Sequence, residues 1–150
     1  MKDIFKQDTI DAFKLRIANI TADSSAQWGK MNAYQMLKHC TENDKMMTSE
    51  RQFKRLFIGR IFGKMSLRSS TKDDKPLARN SPTHPDLIIK ESGDVETQKQ
   101  AWLKVLEGYY TKPAATFEQF THPFFGKMTP QQISIWAYKH IDHHLRQFGV

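Results

Sequence analysis

Residues 128–150 read MTPQQISIWAYKHIDHHLRQFGV, the best-marked helix of the chain and its densest run of histidines. Thr129 is a good N-cap, Pro130 suits the first helical position, and Gln132 at the third completes a capping box. Ile133, Trp136, Ala137, His140 and His144 follow at spacings of 3, 1, 3 and 4, which lays them along one face. Gly149 is placed to end the helix.

His140 and His144 stand four apart, so both imidazoles share a face one turn from each other. The same spacing lets two helical histidines chelate one metal ion in zinc-dependent peptidases. Here the face also carries apolar residues, so the pair points inward. Each buried ring nitrogen needs a partner, and two cationic rings repel; a divalent metal answers both demands. The plain alternative is packing, because HxxxH also arises by chance. A third ligand has to come from another helix, and His39 is the best candidate. His143 competes, but it lies about 100° round from His144 and is expected to face away from the stripe. His84 and His122 fall in proline-bearing loops, where either can cap a helix, stack on an aromatic ring or line a pocket.

Three more segments carry helical periodicity. Ile10, Phe13, Ile17 and Ile20 form one stripe over about residues 8–20, with Asp8 or Thr9 as the cap. Asn32 caps a second helix whose buried side carries Ala33, Met36, Cys40 and Met47, with His39 beside it. A third spans roughly 94–110 through Ala101, Trp102, Val105, Leu106 and Tyr109. Strand signals are few. The expected fold is an all-α four-helix bundle in a single domain, residues 1–150, with a long crossover connection between helices 2 and 3. That connection, residues 51–93, is expected to hold a short helix around 53–65 and an extended piece at HPDLIIK.

Around the histidines, Asn43 lies one turn beyond His39. It reads first as a solvated helix residue and second as a polar neighbour of the ligands. Cys40 reads as a small core residue. Phe124 and Phe125 read first as core anchors before the last helix and second as walls of a substrate pocket, and Trp28 has the same two readings.

Residues 51–75 hold eight Lys or Arg against two Asp, interleaved with Phe53, Leu56, Phe57, Ile61, Phe62 and Met65. The expected arrangement puts the apolar side on the core and the charges in water. Membrane-surface binding, phosphate contact and a positive lid over the metal are the alternatives. The GxxxG spacing in GRIFG is weak evidence for helix association in so charged a segment. No nucleic-acid motif is present, and neither nucleic acid nor peripheral membrane contact is expected. The net charge of +7 therefore argues about association, not fold. One cysteine rules out an internal disulfide framework. The N-terminus lacks an apolar leader and no run is long enough to span a bilayer, so a cytoplasmic protein is expected.

WGKMNAYQMLKHC, LARNSPTHPDLII, HPFFGKMTPQQ and YKHIDHHLRQFGV together resemble the DinB/YfiT-like (DinB-like) superfamily of metal-dependent proteins. The resemblance is nearest to a domain-of-unknown-function branch that ends in this KHxDHHLRQFG block. It implies a four-helix bundle whose metal ligands are His39, His140 and His144, with zinc or nickel as the ion and a homodimer as the assembly. Relatives in the wider superfamily include transferases that use a low-molecular-weight thiol. The implied function is a divalent-metal-dependent hydrolase or thiol-dependent transferase with an open coordination position. The alternative is a non-catalytic metal- or small-ligand-binding bundle that docks an anionic partner through residues 51–75.

Overall fold

A computed structural model describes residues 3–150. The chain is mostly helical: α1 (Gln7–Ala18), α2 (Ala33–Met47), α3 (Phe57–Thr71), a 3-10 turn (Pro85–Leu87), α4 (Val95–Leu106), α5 (Gly108–Thr111), α6 (Ala114–Glu118), β1 (Thr121–His122), β2 (Gly126–Lys127) and α7 (Pro130–Gln147). The two strands are antiparallel, with Thr121 opposite Lys127 and His122 opposite Gly126. This small ladder was not expected from the sequence.

Local chemistry starts the two helices that matter most. Asn32 Oδ1 accepts from Gln35 N at 2.9 Å, and Gln35 Oε1 accepts from Asn32 N at 3.1 Å. Thr129 and Gln132 exchange the same pair of bonds at the head of α7. Such boxes satisfy otherwise orphaned N–H groups and fix where the helix begins. The expected cap of α1 is corrected: Lys6 occupies that position without a side-chain bond, and Thr9 is buried inside the helix. Gly149, at φ 77°, ends α7 as expected.

α2 and α1 each pack against both α4 and α7. Ile10, Phe13, Ile17, Met36, Leu37, Trp102, Leu106, Ile133, Ile141 and Leu145 fill the space between them. Each such side chain contributes about 1.5–3 kcal/mol on burial. The third expected helix breaks at Glu107, yet Tyr109 beyond the break remains in the core. Trp136 and Ala101, expected on the buried stripes, are half-buried.

The crossover departs furthest from expectation. Its helix is α3, 15 residues long, and it contacts α7 and β2. Its inward residues are Gly59, Gly63 and Leu67, while Phe57, Ile58, Ile61, Phe62 and Met65 are exposed. The expectation that its large apolar side chains lie on the core is therefore reversed. A Cβ on Gly59 or Gly63 would stand 2.3 or 2.2 Å from the Phe124 carbonyl oxygen. The helix is seated by its lack of side chains at those two positions. HPDLIIK opens with the 3-10 turn and then runs on without pairing in a sheet.

Candidate metal centre

His39 projects from α2 and His140 and His144 from α7, all three buried. One ring nitrogen from each lies within 4.8 Å of the other two. His39 Nε2 and His140 Nε2 are 3.3 Å apart. The ring centroids stand 5.3 Å apart for His39 and His140, 4.8 Å for His39 and His144, and 4.7 Å for His140 and His144.

The outer nitrogens are held by groups that set the tautomers. His39 Nδ1 is 2.9 Å from the Leu87 carbonyl, an acceptor only, so Nδ1 carries the proton and Nε2 a lone pair. Gln147 Nε2 donates to the Trp28 carbonyl at 2.8 Å, which orients its amide and aims Oε1 at His144 Nδ1, also 2.8 Å away. His144 therefore also presents a bare Nε2. Asn43 Nδ2 stands 3.3 Å from both Asp44 Oδ1 and His140 Nδ1. With this orientation His140 Nδ1 accepts, and its proton sits on Nε2 facing His39.

Burial drives the charge state. It holds His39 below the usual imidazole range, and it lowers His144 to about 3. His140 lies well below the usual range, first from burial and then from His144 and His39. Three neutral imidazoles converging their nitrogens form a donor set that could hold a metal ion. Outer hydrogen bonds of this kind orient metal-binding histidines.

The remaining expected site residues divide. Asn43 is corrected from solvated to buried, 3% exposed, and touches His140 directly. His143 is half-buried and edge-on to Trp28, outside the donor cluster. His122 Nδ1 accepts from the N–H groups of Phe124 and Phe125, which leaves Nε2 as its protonated nitrogen. Burial lowers His122 to about 3. Phe125 is a core anchor, while Phe124 is half-buried. Cys40 is fully buried beside Met36 and its thiol is pushed well up by burial, as a core residue should be. His84 stacks on Phe53 and caps the 3-10 turn, accepting from Asp86 N at 3.2 Å.

Three contributors were not found in the sequence. Leu87 acts through its carbonyl, which no residue type advertises. Gln147 lies one turn beyond His144, a spacing that hints at contact but specifies nothing. Asp44 is fully buried and accepts from Trp102 Nε1 at 2.7 Å, Tyr109 hydroxyl at 2.8 Å and the Asn43 amide. Burial, opposed by those bonds, raises its carboxyl to about 6.

A cavity of about 1240 Å³ adjoins the three histidines. His122, Phe124, Phe125, Trp136 and, from α3, Ile58 and Met65 also line it. Arg79 lies over the Trp28 ring, its guanidinium carbon 4.0 Å from the centroid, and Trp28 is part of the same lining.

No curated protein and no solved structure matches the chain. A family model described as "Protein of unknown function (DUF1569)" matches residues 4–149. That span takes in all the helices of the described residues and His39, His140 and His144, and the chain belongs to the DUF1569 family.

Proposed function

We propose that this protein is a divalent-metal-dependent enzyme, a DinB-like bundle in one domain, with His39, His140 and His144 as the metal ligands. The observation that carries this reading is the convergence of three buried, neutral imidazoles whose donor atoms lie within 4.8 Å of one another beside a large cavity. A structural ion is usually closed off by four protein ligands, whereas three leave a position open to a substrate or co-substrate. When bound, a divalent ion supplies Lewis acidity at that position, for water in a hydrolase or for a thiol in a transferase.

The chain's own residues supply the rest. Leu87 and Gln147 hold the rings of His39 and His144 in the tautomers that leave Nε2 bare. Phe124, Phe125 and Trp136 offer apolar walls, which suit a small organic substrate with a hydrophobic body. His122 keeps a proton on Nε2 and serves as a neutral donor toward such a substrate.

Cobalt-loaded protein tests the open position. Azide or a small thiol is expected to change the visible spectrum, and the change is expected to saturate. A cobalt spectrum indifferent to both would mean a closed site and would overturn the enzymatic reading.

A further inference from the structure

The reversed polarity of α3 calls for a function of its own. Phe57 is 76% exposed, Ile61 59% and Met65 65%, with Ile58 and Phe62 beside them. At 3.6 residues per turn these five cover an arc of about 140° on one side of the helix. The opposite side is the glycine face seated on Phe124.

Charge accompanies the apolar arc. From Arg51 to Lys72 there are seven cationic residues and no Asp or Glu. Arg60 and Lys64 border one edge of the arc, Arg68 lies just inside that edge, and all three are exposed. Among the described residues none of the three takes part in an ion pair, whereas Arg51 pairs with Glu42. A helix with a large apolar arc flanked by cations is the pattern that lies in the plane of an anionic lipid surface. The apolar side chains enter the acyl boundary and the cations meet the headgroups.

We propose that the outward face of α3 docks on an anionic lipid surface. Charge complementarity selects this occupant over a second copy of the chain. A two-fold contact through this face would set Arg60, Lys64 and Arg68 against their own kind, with no carboxylate on the helix to pair them. The docking face contains none of the three histidines, so the proposal does not depend on the metal. Ile58 and Met65 belong to both the arc and the cavity lining, so docking brings the cavity next to the lipid.

Sedimentation of the full chain with phosphatidylcholine vesicles, and with vesicles of equal phosphatidylcholine and phosphatidylglycerol, tests it. The expected result is binding at least about tenfold tighter to the anionic vesicles, weakened by salt. Ile61→Asp and Met65→Asp are expected to lower it at least about tenfold while leaving helical content unchanged. Leu15→Asp, at a 74% exposed apolar position on α1, is expected to leave it unchanged. Three results would overturn the proposal. They are no binding to anionic vesicles at low salt, equal binding to both vesicles, or a wild-type dimer that Ile61→Asp converts to a monomer.

Discussion

His140 Nε2 lies 3.3 Å from His39 Nε2, across the gap between α7 and α2. Two neutral imidazoles share such a bond only if one places its proton on that nitrogen. Leu87 takes the His39 proton at Nδ1, so the shared proton belongs to His140. A metal needs that nitrogen bare. Imidazole nitrogen shifts in isotope-labelled, metal-free protein are predicted to show His39 and His144 protonated at Nδ1 and His140 at Nε2. On zinc addition His140 should change to the Nδ1–H form, with the Asn43 amide turned to accept. Three identical tautomers before metal addition would contradict the assignment.

Acid should unfold the metal-free protein early. Burial lowers His39, His122, His140 and His144, two of them to about 3. The unfolded chain takes up these protons near pH 6.5, so each group's contribution is present above that pH and is lost as pH falls below it. Each costs about 1.4 kcal/mol per pH unit within its window. Asp44 has the opposite sign: raised to about 6, it binds its proton in the folded state first, which offsets one histidine between about pH 6 and 4. Histidine uptake prevails. Thermal melts with chelator should show the transition temperature falling steadily from pH 7 to 5. A flat profile would show that the imidazoles are solvated.

Asp44 is the acceptor for Trp102, Tyr109 and Asn43, and it links α4 and the segment after it to the helix that carries His39. Asp44→Ala would strand the buried indole and hydroxyl donors, a loss of about 3–5 kcal/mol by analogy with breaking a buried charged pair. Asp44→Asn keeps one acceptor oxygen and should lose less. Urea unfolding followed by circular dichroism orders the two variants; equal stability with wild type would show that the network contributes nothing.

Gly63→Ala should disturb α3 without touching the histidines. Its Cβ would stand 2.2 Å from the Phe124 carbonyl oxygen, a backbone atom that cannot rotate aside. Overpacking of this kind costs about 1–3 kcal/mol. Trypsin is expected to cleave the variant faster at Arg60, Lys64 or Arg68. Cleavage at the wild-type rate would mean that α3 is not seated through its glycines.

Much of this was legible in the sequence, for reasons visible in particular residues. The boxes at Asn32 and Thr129 are local, so the starts of α2 and α7 follow from four residues each. The face of α7 follows from period alone, and it brings His140 and His144 together. α3 was misread because period reports a stripe but not which way it faces; Phe57, Ile61 and Met65 look like a core face until Gly59 and Gly63 meet Phe124. Leu87 was missed, and Asn43 read first as solvated, for a different reason. The bond from His39 to Leu87 spans 48 residues and that from Asn43 to His140 spans 97, so neither exists until the helices pack.

The most direct measurement is the metal content of untagged protein after gel filtration and zinc reconstitution, beside His39→Ala and His140→Ala. The account predicts about one ion per chain in wild type. It also predicts affinity reduced more than about 100-fold in both variants, with helical content retained. Full occupancy in either variant, or a wild-type protein that takes up no ion, would contradict it.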